Sequence, residues 1–469
     1  MAAPLSRVKQ VTLKILVDVK KNEVVYAEAG KDFVDVLLSF LTFPLGNIVR
    51  IVSNDSNMEK VSVGCLSSLY QSVANLEVKH FWSDTCKEMF LNPRNSSEDY
   101  CRNIKLNIDD TEKTRYFICQ DLECSRKESG VLLSIFKNKR CKCGKLMDRE
   151  ILRKNTSLLN VEGFVHDSST FTIFDDLKVI PDNVLRSVSE VSRMEDVNSI
   201  KILTVSVTQK EIVDLLKISL LSNTPLTDFF LRRKVFCQNM PQCRSIVAFN
   251  NVKAVPSPGE RFIVLKVVRR KSNNKILFAL AEDDFIDILL SFLTFPLGRV
   301  ENMLKGNSCL GSIDNLYNSI VGLDSYRYLK SPDLKDMLVK SRLAQHFKLL
   351  NQIFPIDEVP IVNYYCYKGH SSIYVNFPNP LIYVNPQSST TYNSSSRESG
   401  FVKKPSLYIV TDDLVVKPGS SMSVLSFLTA LGFSSSEVDE QIIKIGKTEC
   451  LSLLKVSLIS SSALTDVFG

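Results

Sequence analysis

"LLSFLTFPLG" occupies Leu37–Gly46, and the same ten residues recur at Leu289–Gly298, a shift of 252 positions. The match extends in both directions. Val11–Gly46 reads VTLKILVDVKKNEVVYAEAGKDFVDVLLSFLTFPLG, and Ile263–Gly298 reads IVLKVVRRKSNNKILFALAEDDFIDILLSFLTFPLG, aligned without a gap. Downstream, SLYQSVANL (68–76) resembles NLYNSIVGL (315–323), and CKEMFL (86–91) resembles LKDMLV (334–339). A second block also repeats. GFVHDSSTFTIFDDLKVIP (163–181) resembles GFVKKPSLYIVTDDLVVKP (400–418), and EIVDLLKISLLSNTPLTDFF (211–230) resembles ECLSLLKVSLISSSALTDVF (449–468). So long a period is not that of a thin solenoid, and it reads as tandem duplication of a two-part unit.

The expected organisation follows. Residues 1–110 form module one of the first repeat, 111–160 a cysteine-rich insert, and 161–245 module two. Residues 246–355 form module one of the second repeat, 356–399 a degenerate insert with a Ser-rich loop, and 400–469 module two. Within module one, Val11–Val17 alternates as a strand, Lys20–Glu23 turns, and Val24–Ala29 returns as a hairpin. A helix starts near Asp32, with Phe33, Val36, Leu37 and Phe40 on one apolar stripe and Asp32, Asp35 and Ser39 opposite. Pro44 stops it, and Gly46 is expected to permit a change of direction. Module two reads strand, helix, strand, helix. Thr208 is placed to cap a helix over Lys210–Leu221, and Thr224 and Ser462 to cap the short elements that follow. The fold class expected is α+β, with mostly antiparallel strands in module one.

Composition excludes some classes. The chain has 469 residues, 44% of them apolar, which marks a folded protein with more than one core. A net charge of +7 from 58 basic and 51 acidic residues is a mild excess spread over a long chain and argues only weakly for nucleic acid, which is not the partner expected. No stretch reaches the about 18 apolar residues of a membrane span. Twelve cysteines without a secretory leader point to a reducing cytoplasmic or nuclear setting, not secretion. No phosphate-binding Gly loop and no Ser-His-Asp arrangement is present.

Two constellations carry chemistry. Cys119, Cys124, Cys141 and Cys143 offer four thiolates for a structural zinc ion, with spacings Cys-x4-Cys and Cys-x-Cys in place of the usual Cys-x2-Cys. In the second repeat Cys366 answers Cys119, and the other three have no counterpart. Asp175-Asp176 recurs as Asp412-Asp413. Paired carboxylates can bind Mg2+ or divide acid and base roles, and Asp is also a common turn former.

The hairpin–helix start, the Cys119–Gly144 segment, GFV followed by FDDLKVIP, and KILTVSVTQKEIVDLLKISLLSNTPLTDFFL together resemble the plant family known as domain of unknown function 674. The resemblance covers nearly the whole chain and implies a flowering-plant source. It implies no activity and no catalytic residues. The function expected is that of a non-enzymatic protein-binding scaffold. The alternatives are a metal-dependent hydrolase or transferase using the repeated Asp pairs, and weak nucleic-acid binding.

Overall fold

Alternation in the N-terminal segment produces the predicted hairpin. β1 (Gln10–Asp18) buries Leu13 and Ile15 and exposes Thr12 and Lys14, and β2 (Glu23–Gly30) returns beside it. Asn22 closes the turn at φ 53, a left-handed position that Asn tolerates. In this computed structural model the residues described are 9–53, 61–121, 131–153 without 138 and 142, 163–182, 199–232, 261–347, 349, 352–354, 356–357, 365–367, 381–383, 400–403, 406–432, 434 and 436–469.

The cysteine-rich segment supplies five short strands: β3 (Tyr116–Ile118), β4 (Val131–Leu133), β5 (Lys139–Arg140), β6 (Leu146–Met147) and β7 (Arg149–Arg153). Module two adds β8 (Thr170–Phe174), β9 (Val179–Pro181) and β10 (Ile200–Thr208). The second repeat holds β11 (Ile263–Arg270), β12 (Ile276–Ala281), β13 (Tyr365–Tyr367), β14 (Leu381–Tyr383), β15 (Tyr408–Thr411), β16 (Val416–Pro418) and β17 (Val438–Ile445). The helices used below are α1 (Lys31–Ser39), α2 (Leu45–Ser53), α3 (Gly64–Asn75), α4 (Asp84–Leu91), α5 (Gln209–Leu221), α6 (Asp283–Phe292), α7 (Leu297–Met303), α8 (Gly311–Gly322), α9 (Asp333–Val339), α10 (Ser421–Ala430) and α11 (Lys447–Ile459).

The fold is α+β, built from two similar sheet-and-helix units. One antiparallel sheet runs β10-β1-β2-β8-β9, and the other runs β17-β11-β12-β15-β16. Equivalent strands occupy equivalent places. The ladder slips after Leu16 in one and after Val268 in the other. Asn22 and Asn274 share φ 53 and 56, and Leu177 and Leu414 share φ 61 and 62. Such local irregularities recur only when the whole backbone plan recurs. Strands of module one and module two of a repeat share one sheet, so the two modules fold together.

The repeated decapeptide is the seam between the repeats. Leu45 N–H donates to Phe295 O at 2.9 Å, and Leu297 N–H donates to Phe43 O at 2.9 Å. This reciprocity is what a twofold-related contact produces, here within one chain. Leu37, Phe40, Leu41 and Phe43 are fully buried, each contributing about 1.5–3 kcal/mol by burial. The hydroxyls survive because they bond back to the chain. Ser39 donates to Val36 O and Thr42 to Ser39 O, matched by Ser291 to Ile288 O and Thr294 to Ser291 O.

Gly46 does not turn the chain, contrary to the expectation above. It lies inside α2, where a Cβ would sit 3.0 Å from Leu293 O across the seam. Gly298 answers it, 3.0 Å from Leu41 O. The glycines are required by close approach of two backbones.

The helices then cross over. α3 of the first repeat packs on α11 and β16 of the second, and α8 packs on α5 and β9 of the first. Ser72 Oγ accepts Val416 N–H at 2.9 Å, and Ser319 Oγ accepts Val179 N–H at 2.9 Å. At the C-terminal ends of α11 and α5, Cys65 Sγ donates to Ser460 O and Ser312 Oγ to Ser222 O, supplying partners to terminal carbonyls. One hydrophobic cluster consequently runs through both repeats.

The polar side of α1 is buried as well. Asp35 is 2% exposed, because that side faces the GFV segment. Its Oδ1 accepts the N–H groups of Phe164 at 2.7 Å and Val165 at 3.0 Å. Asp287 repeats the clamp on Phe401 at 2.7 Å and Val402 at 3.2 Å. The clamped segments reach across the repeats: Trp82 N–H bonds Phe401 O, and Lys330 N–H bonds Phe164 O.

Candidate metal centre

The cysteine-rich insert is a set of short strands that bury Phe117, Ile118, Leu133 and Ile151, and beside them Cys119, Leu132, Cys141 and Met147 form a small cluster of their own. β3 ends at Ile118 and delivers Cys119, while β5 and β6 form a hairpin whose turn carries Cys141 and Cys143. Gly144 holds the turn at φ 82, and its N–H bonds Cys141 O at 2.9 Å. Gln120 N–H bonds Leu146 O at 2.9 Å, which fixes the end of β3 against the hairpin.

The three sulfurs of Cys119, Cys141 and Cys143 all lie within 4.8 Å of one another, with Cys119 and Cys143 at 3.4 Å. Tetrahedral zinc with Zn–S near 2.3 Å needs sulfurs about 3.8 Å apart, so the trio fits. Cys119 and Cys141 are buried and Cys143 is exposed, leaving a side open for entry. Burial holds the Cys119 thiol well above the ordinary thiol range, and the neighbouring thiols of Cys143 and Cys141 push the same way. A divalent cation reverses that balance by deprotonating the thiols that ligate it. Asp121 N–H already points at Cys119 Sγ, at 3.4 Å. Among the described residues this is the one group of three or more metal-ligating side chains close enough to share an ion.

Three of the four cysteines expected to share one site come together: Cys119 meets the hairpin of Cys141 and Cys143. Cys124 lies outside the described residues, and Cys366 sits on β13 with only its backbone described. β13 pairs with β7, on the opposite side from β3, and β14 pairs with β4. The inserts of both repeats thus form joint sheets.

The repeated aspartates occupy strand-connecting turns. Asp175 accepts the N–H of Thr227 at 2.7 Å and its hydroxyl at 2.6 Å. Asp412 does the same with Thr465, at 2.8 and 2.9 Å. Burial pushes Asp175 up to about 6, against the pull of its Thr227 hydrogen bonds, and raises Asp412 in the same way. Asp176 accepts Lys178 N–H at 3.1 Å, and Asp413 accepts the Thr411 hydroxyl. The expected caps also differ in detail. Thr224 and Ser462 hold the N-cap positions without capping through their side chains. Ser222 and Ser460, two residues earlier, accept those residues' N–H groups and donate to Asp228 and Asp466. Thr208 is the N-cap of α5, as expected, and its hydroxyl and N–H both donate to Glu211 at the third helical position.

Sequence reading missed the Asp35 and Asp287 clamps. Their signal was present: an acidic residue recurs inside an apolar helix, and the GFV it binds recurs with it. No helix among the described residues is long and apolar enough to cross a membrane. A family profile described as "Protein of unknown function (DUF674)" matches residues 7–448. No curated protein and no solved structure matches the chain.

Proposed function

The chain belongs to the DUF674 family, and from that premise we propose a non-enzymatic protein-binding scaffold whose cysteine-rich insert is held by a structural zinc ion. The sulfur trio carries the reading. Cys119, Cys141 and Cys143 would ligate the ion, and Cys124 is the sequence candidate for a fourth position. Bound zinc would supply cross-linking, tying β3 to the β5–β6 hairpin. Since β7 and β4 also pair with β13 and β14 of the second repeat, the ion would brace a joint between repeats. The aspartates support the non-enzymatic part, because Asp175 and Asp412 are engaged by Thr227 and Thr465.

Elemental analysis of chain purified without chelator should give near one zinc per molecule, falling to near zero in Cys141→Ser. Chelator should lower the melting temperature of the parent and leave that of Cys141→Ser unmoved. Zinc near zero in the parent, with melting indifferent to chelator, would remove the metal. Added Mg2+ should not shift the melting of either protein. A Mg2+ shift abolished by Asp175→Asn with Asp412→Asn would instead favour the hydrolase or transferase reading.

A further inference from the structure

The two sheets provide an internal control, because each position on one has an equivalent on the other. Their outer faces differ in chemistry. The first repeat carries Thr12, Glu28, Thr172 and Thr204 there, and the second carries Val264, Leu280, Ile409 and Ile442 at the same places, while the exposed Ile202 of the first is answered by Glu440 of the second. α10 covers part of this apolar face, with Val424, Phe427 and Leu428 packed towards Val268, Phe278 and Ile409. It leaves Val264 58% and Ile442 69% exposed. Isolated exposed apolar residues need no explanation. A polar-to-apolar exchange at matched positions of one fold does.

Ile442 is also on an edge. β17 ends its sheet and pairs only with β11, so its outer row of N–H and C=O groups has no ladder partner among the described strands. Its outward side chains run Glu440, Ile442, Lys444, all exposed. Glu440 reaches Lys266 of the same sheet, and Lys444 makes no ion pair among the described residues. The pattern acid, apolar, base is self-complementary when the strand meets its own copy antiparallel. Centred on Ile442, that pairing sets Ile442 against Ile442, and each Glu440 against the other chain's Lys444. Directly opposed residues share a face with Cβ atoms about 4.5–5.5 Å apart, near enough for both ion pairs. The corresponding edge of the first repeat, β10, shows Ile202, Thr204 and Ser206 at these positions and has no such complementarity.

We propose that β17 is a homodimerisation edge: two chains join their second-repeat sheets by antiparallel β17–β17 pairing about Ile442. The arrangement is isologous and closed, since one edge of each chain is used once. It joins two five-stranded sheets into one of ten strands and brings both Ile442 side chains together on the apolar outer face. The edge lies on the second-repeat sheet, apart from the thiol cluster, so the proposal goes beyond the zinc reading.

The test is sedimentation equilibrium of the full-length chain across a concentration series at low salt. The parent should pass from 52.9 kDa to twice that mass. Lys444→Glu places a second carboxylate opposite Glu440, twice per dimer, and should weaken association about 30-fold or more. Glu440→Lys combined with Lys444→Glu recreates both opposed pairs with reversed polarity, and should recover most of the loss. Ile442→Lys should leave monomer throughout. All three positions are on exposed edge surface, and matched thermal melting would establish that each variant is folded. A parent that stays at 52.9 kDa at every concentration would overturn the proposal. So would Lys444→Glu associating as tightly as the parent, or a double variant no better than the single.

Discussion

Gly298→Ala should destabilise the protein by about 4 kcal/mol, among the largest effects of any single methyl group in the chain. The added Cβ would overlap the Leu338 carbonyl oxygen at the C-terminal end of α9, and would press on Leu41 O at 3.0 Å. Both obstacles are backbone, so no rotamer change relieves them. The reciprocal Gly46→Ala is milder. Its nearest neighbours are Leu293 O and Pro93 Cγ, both at 3.0 Å, contacts that yield with a shift of a few tenths of an ångström. About 1–2 kcal/mol is expected there. Urea midpoints with unchanged slopes would measure both. Equal, negligible losses would mean that the two decapeptides do not approach as described.

The second large effect is at the buried clamp. Asp35→Ala should cost about 3–5 kcal/mol, because the N–H groups of Phe164 and Val165 lose their acceptor inside the core. Asp35→Asn keeps an acceptor oxygen and separates hydrogen bonding from charge. Burial pushes the Asp35 carboxyl up to about 6, against the opposing hydrogen bonds of Phe164 and Val165 and the charges of Lys31 and Lys330. The folded chain therefore holds this proton in a range where the unfolded chain, with a carboxyl near 3.8, has released it. The stability linked to protonation is fully present below about pH 4 and is lost as pH rises through 6, on the order of 2–3 kcal/mol in all. Asp35→Asn should remove that slope between pH 4 and 6 while leaving other carboxylates to titrate. Parallel stability–pH curves for parent and Asp35→Asn would refute the assignment.

Much of this architecture was legible in the residues. Alternation placed β1, β2 and β10, and the apolar stripe placed α1, because side-chain periodicity is a local property of the backbone. Self-alignment gave the duplication, since equivalent positions keep equivalent environments. What could not be read was how the repeats meet. Leu45 bonding Phe295, or α3 resting on α11, depends on contacts hundreds of residues apart that periodicity does not encode. The same limit explains Asp35. A helical-wheel reading places it away from the apolar stripe, and only the crossing GFV segment makes that side interior. At the thiol site, composition identified the candidate ligands. The β5–β6 hairpin that brings Cys141 and Cys143 against the end of β3 is a tertiary contact that spacing alone does not encode.

The duplication kept some features and changed others. The clamps at Asp35 and Asp287, the turns at Asp175 and Asp412, and the seam glycines make equivalent contacts in both repeats. The thiol trio and the Glu440–Ile442–Lys444 edge belong to one repeat each. Those unshared features are where a binding role would reside.

Amide hydrogen exchange across a urea series, resolved along the sequence, tests the interlocked pair most directly. Amides of β1, β2 and β10 should lose protection at the same urea concentration as those of β11, β12 and β17, since α3 and α8 each complete the other repeat's core. Survival of one sheet's protection after the other's has gone would show two independent units and contradict the account.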